Sequence, residues 1–314
     1  MDDNYIEDNM CGILNEPSPW GGPWTEEKLD AFEKYVNAYL TIMNQYRDRN
    51  EWKLIYFDGF AGSGSRIERN EGEESDLLHT LFSDSLLEKD ELEVYKGAAE
   101  RVLGISQRGF DYYYFIDKDK DSSTKLEHRL KRFESEKKLV FRVADANEQI
   151  RELGKEMQRD HKLVSLALLD PFGMQVDWQS IEQLKETRTD LWILIPTGVI
   201  INRLLDRKGA LVHIDKLTSF FGKDEDFLKA YFFNRRQEPT LFGDVEIVEK
   251  VKQPIQKIAE LYIQQLHQIF KHVTQEPLVL YNSRKTPIFH FACASNNKTA
   301  IKIASQIINK KQRP

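Results

Sequence analysis

Cysteine is scarce in this sequence, and long uncharged stretches are missing. The two cysteines, Cys11 and Cys293, are too few for a disulfide framework or a zinc-finger ligand set. No run without a charged residue exceeds twelve residues, the length of 191–202, whereas a bilayer-spanning helix needs about 20. The first eight residues contain four acids, unlike the basic start of a secretory signal. We therefore expect a cytoplasmic protein without a membrane span.

An excess of positive charge is also missing. The chain has 45 Lys and Arg residues against 51 Asp and Glu residues, a net charge of −6, which excludes a highly basic coat protein. Residues 68–93 hold ten acids, whereas 298–314 hold five basic residues and no acid. Solvated surface explains both runs, and a nucleic-acid or partner contact by the tail is the alternative. Further basic residues lie within 197–277: Arg203, Arg207, Lys208, Arg235 and Arg236.

Short apolar runs alternate with charged stretches of helical character. The runs are 54–57, 112–116, 139–143, 163–169 and 191–195. The helical stretches between the last four runs are 122–136, 147–159 and 180–186. This alternation predicts an α/β fold with a doubly wound, mostly parallel sheet. Ligands of such sheets bind at the carboxyl ends of the strands.

Four segments follow from this pattern. Residues 1–24, rich in proline and glycine, form an N-terminal arm, and 25–196 form the core, which starts with a helix. Residues 197–277 break the alternation and predict a helical insertion. Residues 278–314 supply a hairpin, a last helix and the basic tail, and complete the core.

A glycine-rich turn follows the first strand directly, with the sequence Asp58-Gly59-Phe60-Ala61-Gly62-Ser63-Gly64. Glycines let the backbone turn tightly and bring N–H groups close to a ligand. Their spacing differs from the G-x-G-x-x-G of dinucleotide sites, and the next strand-ending acid lies far beyond the usual ~20 residues. No P-loop sequence is present. Taken alone, the turn fits a structural role equally well.

Acids also end the second and third strands. Asp117 is placed to accept hydrogen bonds from a ribose diol, and Asp145-Ala146-Asn147 is placed to pair with an adenine amine. Helix capping is the alternative role for Asp145 and Asn147. Together with the glycine-rich turn, these positions favour an adenosyl ligand.

Asp170-Pro171-Phe172-Gly173 ends the fourth strand. The Asp170 carboxylate and the Pro171 carbonyl are two acceptors that can orient an amine toward an electrophile. The Phe172 ring can stack on an extruded base. The alternative is a plain turn with a buried phenylalanine.

These motifs resemble those of class I S-adenosylmethionine-dependent methyltransferases. The 58–64 turn is similar to their cofactor loop, and 170–173 is similar to the [DN]-P-P-[YF] motif of nucleic-acid amino-methyltransferases. The D-P-F-G form is similar to that of tRNA guanine dimethyltransferases. Phe172 replaces the second proline and Gly173 removes the usual aromatic residue, so base stacking falls to Phe172 or to another side chain.

The whole chain, over about 20–310, resembles the three-Cys-motif partner family (TcmP). The residues that carry this resemblance are Gly22-Pro23-Trp24-Thr25, Lys28-Leu29, 56–64, 145–147, 170–173, Pro196, Arg203 and 289–295. The resemblance implies a methyltransferase-like, seven-stranded sheet and an insertion between strands 5 and 6 for which a winged helix is one form. It also implies S-adenosylmethionine as cofactor and a partner with a radical-enzyme type three-cysteine motif.

Two functions are therefore expected. The first is methyl transfer to an exocyclic amine of a base in RNA or DNA, with Asp170, Pro171, Phe172 and Gly173 at the substrate. The second is a catalytically silent module that serves its three-cysteine partner in a phage-defence or mobile-element setting. An NAD-dependent oxidoreductase is disfavoured by the glycine spacing. The seven histidines show no metal-ligand spacing, so no metal site is expected.

Overall fold

The computed structural model describes residues 22–64, 97–202, 205, 211–241 and 243–312. Several sequence expectations fall outside this part of the chain. They concern the arm before Gly22, Cys11, the acidic run 68–93, and Arg203, Arg207, Lys208 and Arg313.

Helices and strands alternate through the first half of the chain. The helices are α1 (Gly22–Tyr46), α2 (Ala98–Leu103), α3 (Lys120–Leu130), α4 (Ala146–Arg159), α5 (Trp178–Glu182), α6 (Ile214–Phe221), α7 (Glu225–Phe232), α8 (Pro254–Ile269) and α9 (Lys298–Gln312). The strands are β1 (Lys53–Asp58), β2 (Tyr112–Asp117), β3 (Leu139–Val143), β4 (Leu163–Leu169), β5 (Thr189–Ile195), β6 (Phe233–Thr240), β7 (Gly243–Lys250), β8 (His272–Val273), β9 (Leu278–Tyr281) and β10 (Pro287–Ser295). A 3₁₀ turn (Lys131–Phe133) and a π-helical turn (Thr197–Ile201) complete the set.

The main sheet confirms the predicted α/β fold. Its order is β3-β2-β1-β4-β5-β10-β8, with β9 also paired to β10. The first five strands are parallel, and β10 runs antiparallel to β5. The sheet has eight strands where seven were expected. Because β10 is long, its first half pairs with β9 and its end pairs with the two-residue β8, so two short strands share one position.

Helices cover both faces of the sheet, and each face has its own apolar core. On one face, α1 contributes Phe32 and Tyr35 to a cluster that contains Leu126 of α3 and Ile308 of α9. On the other face, α4 and α5 pack together with the helices of the insertion. Cys293 lies in β10 and is fully buried, as expected for a core residue. Among the described residues, no helix is both long and apolar enough to cross a membrane.

The insertion is helical only in part. The rings of Trp178 in α5 and Tyr262 in α8 meet edge to face with their centroids 5.8 Å apart, so the insertion shares the core of the sheet. Between α7 and α8, β6 and β7 form a separate two-stranded hairpin, where the sequence indicated no strand. The winged-helix form stays a prediction.

Candidate active site

Three acids lie at the carboxyl ends of neighbouring strands and on one face of the sheet. Asp58 is in register with Phe115 of β2 and with Leu168 of β4. Asp117 and Asp170 each follow these partners by two residues, and side chains alternate between faces along a strand. The three carboxylates therefore face the same side, which is the side that α1 covers, since Tyr56, Phe115 and Leu168 belong to the core cluster of α1.

The glycine-rich turn lies across these strand ends and is tied to both neighbours of β1. The Gly59 N–H donates to the Leu168 carbonyl at 3.0 Å, and the Ala61 N–H donates to the Ile116 carbonyl at 2.9 Å. The Gly62 N–H donates to Asp117 Oδ2 at 2.8 Å. Hydrogen bonds to β2 and β4 therefore fix the turn, and they place it against Asp117, the acid that ends β2.

Two glycines of this turn need the left-handed backbone region. Gly62 has φ +60° and Gly64 has φ +70°, values that side chains disfavour. A Cβ at Gly64 would lie 2.8 Å from Leu126 Cδ1, so this glycine is also required for packing. A Cβ at Gly62 would meet no atom of the described residues within 4 Å, so with respect to these residues the backbone there borders open space. Open space beside a fixed, glycine-lined turn fits a ligand that approaches the main chain closely.

Asp58 is the innermost of the three acids and is only 2% exposed. Its carboxylate accepts hydrogen bonds from Tyr56 Oη at 3.2 Å and from the Phe60 N–H at 3.3 Å. Burial, and then the neighbouring charge of Asp170, raise the pKa of Asp58 from 3.8 to about 7. The side chain fixes the start of the turn, and it carries only part of a negative charge at neutral pH.

Asp117 accepts from the backbone through both oxygens. Besides the bond from Gly62, Oδ1 accepts from the Asp119 N–H at 2.8 Å. A carboxylate has about four acceptor positions, so two bonds leave capacity for a diol. The side chain is half-buried at the end of β2. Its position and chemistry fit the predicted ribose contact.

Asp145 and Asn147 form hydrogen bonds within the protein just after the carboxyl end of β3. Asp145 Oδ1 accepts from the N–H groups of Asn147 and Glu148, so Asp145 is the N-cap of α4. The Asn147 amide donates to the Gln175 carbonyl at 2.8 Å and accepts from the Asp177 N–H at 2.9 Å. Capping, the alternative role weighed from the sequence, is therefore present. The adenine contact of 145–147, with Ala146 buried between the two polar residues, stays a prediction.

Asp170 forms an ion pair that the sequence did not indicate. Lys28 Nζ of α1 lies 2.7 Å from Asp170 Oδ1 and 2.5 Å from Oδ2. The lysine side chain is 5% exposed and the aspartate side chain 23% exposed. The ammonium also lies 5.5 Å from the centroid of the Trp24 ring. A substrate amine at Asp170 would therefore share or take over the acceptor atoms that Lys28 uses.

The residues after Asp170 form a partly buried turn. Pro171 and Gly173 are buried and Phe172 is half-buried. The Phe172 N–H donates to Gln175 Oε1 at 3.1 Å, and the Gln175 carbonyl accepts from Asn147. Gln175 thus joins the turns after β3 and β4. The position of Phe172 beside Asp170 fits a stacking role.

Lys28, Tyr56 and Gln175 belong to the site, although sequence reasoning assigned them no role in it; Lys28 and Tyr56 entered only as residues that carry the family resemblance. A signal existed for Lys28, because it precedes Phe32 by four residues and so lies on the apolar stripe of α1. A lysine on a buried stripe needs a partner. Tyr56 and Gln175 carry no comparable signal, since a tyrosine in a strand and a glutamine in a turn are ordinary.

A cavity of about 530 Å³ lies at the amino-terminal ends of the strands, where β2 begins, and residues 103–111 line most of it. Because ligands of doubly wound sheets bind at the carboxyl ends, this cavity is separate from the candidate site. Within the described ranges, no group of three or more His, Cys, Asp or Glu side chains is arranged to hold a metal ion.

The basic residues proposed for nucleic-acid contact are partly neutralised. Arg235 lies 3.5 Å from Glu246 across the hairpin, and Arg236 lies 3.0 Å from Glu238 and 3.2 Å from Glu249. In the tail, Lys311 pairs with Asp30 of α1 at 2.6 Å. Lys302 and Lys310 are exposed on α9. The tail therefore offers more uncompensated charge than the hairpin.

Comparison with known proteins gives only distant likenesses. A scan against protein-family models finds no match, and a search of curated proteins finds no significant match. Among solved structures, a Legionella pneumophila protein with the family model DUF519 is 13% identical, with 86% of this chain and 98% of that chain covered and a TM-score of 0.38. An S-adenosylmethionine-dependent methyltransferase from Clostridium acetobutylicum is 9% identical, with 87% and 92% covered and a TM-score of 0.34. A proposed rRNA methylase from Clostridium thermocellum is 11% identical, with 67% and 97% covered and a TM-score of 0.25. At these values the likenesses carry no weight for function, and the fold class rests on the topology above.

Proposed function

We propose that this protein is an S-adenosylmethionine-dependent methyltransferase that acts on an exocyclic amine of a base in RNA or DNA. The observation that supports this most is the placement of Asp58, Asp117 and Asp170 on one face at adjacent strand ends, with a fixed glycine-rich turn across them. An adenosyl cofactor needs a hydrogen-bond acceptor for its ribose hydroxyls and a backbone that it can approach closely. A substrate amine needs a further acceptor next to the cofactor.

The cofactor residues are those of the turn, 58–64, together with Asp117 and 145–147. Asp117 accepts from the ribose hydroxyls, and Gly62 lets the ligand approach the backbone. When bound, S-adenosylmethionine supplies an electrophilic methyl group. Within this set Asp58 acts indirectly, because its two internal hydrogen bonds fix the start of the turn that lies against the cofactor.

Asp170 and the Pro171 carbonyl orient the substrate amine, and Phe172 stacks on the base. The amine need not lose a proton before it attacks, because methylation itself makes that proton acidic. Asp170 is therefore an orienting acceptor and not a strong general base. Gly173, the last residue of the motif, is buried.

The family resemblance adds a partner to this proposal. A protein with a three-cysteine motif of radical-enzyme type would bind the chain, and the basic residues of 197–277 and of the tail would contact nucleic acid or that partner. The exposed lysines of α9 support the tail as the contact.

The second candidate function is a catalytically silent module that serves this partner. The Lys28–Asp170 ion pair favours it, because both carboxylate oxygens of the substrate motif are already in contact with an ammonium group. Turnover separates the two candidates. Incubation of the protein with S-adenosylmethionine and total nucleic acid should form S-adenosylhomocysteine and methylated bases, whereas the silent module would form neither.

A further inference from the structure

The ammonium group of Lys28 occupies the Asp170 oxygens that are assigned to the substrate amine. Its Nζ lies within hydrogen-bond distance of both Asp170 oxygens. The lysine approaches from the protein side, with a side chain 5% exposed, whereas the aspartate is 23% exposed. The Asp170 carboxylate is therefore partly accessible to solvent, whereas the Lys28 side chain that pairs with it is buried.

Stability alone explains this pair poorly. Desolvation of two charges offsets much of their attraction, so a buried ion pair is weak evidence for a stabilising role. Asp58 is a second carboxyl group whose charge interacts with that of Asp170. Two neighbouring carboxyl groups favour the binding of an ammonium group at Asp170, whichever molecule carries it. Thr25, in the same part of α1, has a buried hydroxyl without a hydrogen-bond partner among the described residues.

Lys28 also has an alternative interaction close by. Its Nζ lies 5.5 Å from the centroid of the Trp24 ring, within the range of a cation–π contact. Trp24 is itself anchored, since its ring lies 5.1 Å from that of Phe289. The flexible four-carbon stem of lysine allows the ammonium to leave Asp170 while it remains near the indole.

We propose that Asp170 is an ammonium-binding site that Lys28 fills in the free protein, and that the substrate amine must displace Lys28 to be methylated. The inference rests on the proposed function of Asp170. Lys28 of α1 is then a gate: a substrate opens it only by as much as it binds more tightly to the state in which Lys28 has left Asp170.

Alkylammonium rescue tests the binding site without any knowledge of the substrate. Lys28→Ala leaves Asp170 unpaired and removes three methylene groups and the ammonium, the atoms that n-propylammonium would replace. We expect n-propylammonium chloride to raise the melting temperature of this variant beyond the effect of equal sodium chloride. The wild-type protein and the double variant Lys28→Ala/Asp170→Asn should show no such difference. If Lys28→Ala folds only with n-propylammonium, the recovery is the expected result. No specific effect on Lys28→Ala, or an equal effect on the double variant, would overturn the proposal.

Kinetics of Lys28→Met test the gate, because methionine keeps the length of the stem and removes the charge. With labelled S-adenosylmethionine and total nucleic acid, we expect KM for nucleic acid to fall at least threefold with kcat not reduced. A loss of kcat at unchanged KM would contradict the gate. If neither the wild-type protein nor any variant transfers a methyl group but n-propylammonium rescue holds, the methyltransferase proposal fails and the ammonium site stands.

Discussion

Gly62 donates its backbone N–H to the Asp117 carboxylate at 2.8 Å, and this bond joins the turn after β1 to the end of β2. The other Asp117 oxygen accepts from the Asp119 N–H. The carboxylate is therefore fixed from two sides before a ligand binds. Because fixed acceptors lose little freedom on binding, this arrangement favours recognition of a diol.

The first prediction concerns Asp117→Ala. The variant should weaken S-adenosylhomocysteine binding by about 1–3 kcal/mol, the scale for hydrogen bonds to a charged group. Asp119→Ala is the matched control, since Asp119 only caps α3 by accepting from the Ser122 N–H at 2.8 Å. Isothermal titration calorimetry measures both. Equal losses of affinity in the two variants would show that Asp117 has no specific role in binding the cofactor.

The second prediction concerns Asp170→Ala, which should lower methyl transfer by about a hundredfold or more. Cofactor affinity should stay within a few-fold, since Asp58, Asp117 and 145–147 are assigned to the cofactor. The variant leaves Lys28 buried and unpaired, so a loss of about 3–5 kcal/mol of stability is expected. Lys28→Met/Asp170→Asn removes both charges and should recover much of that stability without activity. Loss of cofactor binding together with transfer would make Asp170 a structural residue.

The third prediction uses the pKa of Asp58, which burial raises from 3.8 to about 7. Between these values the folded state binds more protons than the unfolded state, so this group lowers the free energy of unfolding as pH rises. Asp58→Asn should remove that loss. The free energy of unfolding of the variant, measured relative to wild type, should therefore rise by a few kcal/mol as pH increases from about 4 to 7.

Denaturant unfolding of both proteins across this range measures the difference. The comparison is needed because His290 acts oppositely: burial lowers its pKa from 6.5 to about 4, so it stabilises the fold as pH rises. A constant difference between wild type and Asp58→Asn would show that Asp58 does not titrate in this window.

The fourth prediction concerns the basic tail. If three to five basic residues contact phosphates, log affinity for nucleic acid should fall with log salt at a slope of about −2 to −5. Lys302→Ala/Lys310→Ala should flatten the slope by about 2, whereas Arg235→Ala/Arg236→Ala should change it less, because glutamates already pair with both arginines. Fluorescence anisotropy at several salt concentrations checks this. A salt-insensitive complex would identify these residues as solvated surface.

The central strands β1, β4 and β5 were predictable because nearly all of their residues are buried, on both faces of the sheet. The bounds of 139–143 and 163–169 agree with the sequence pattern. The β6–β7 hairpin gave no such signal. Arg235 and Arg236 are exposed and Pro239 lowers strand propensity, while a cross-strand ion pair from Arg236 to Glu249 holds the two strands locally.

The site was predictable in its parts but not in its contacts. Asp58, Asp117 and Asp170 are each visible as an acid after an apolar run, and parallel pairing brings them to one edge. The partners of Asp170 and Asp117 depend on tertiary packing: Lys28 is 142 residues from Asp170. Spacing in sequence cannot select one lysine among many for such a contact.

The binding of an adenosyl cofactor is the central claim, and calorimetry on the unmodified protein tests it most directly. S-adenosylmethionine, S-adenosylhomocysteine and NAD are titrated separately into the same preparation. The account predicts saturable heat with the first two ligands and none with NAD. Saturable binding of NAD, with no heat from either sulfur-containing ligand, would contradict it.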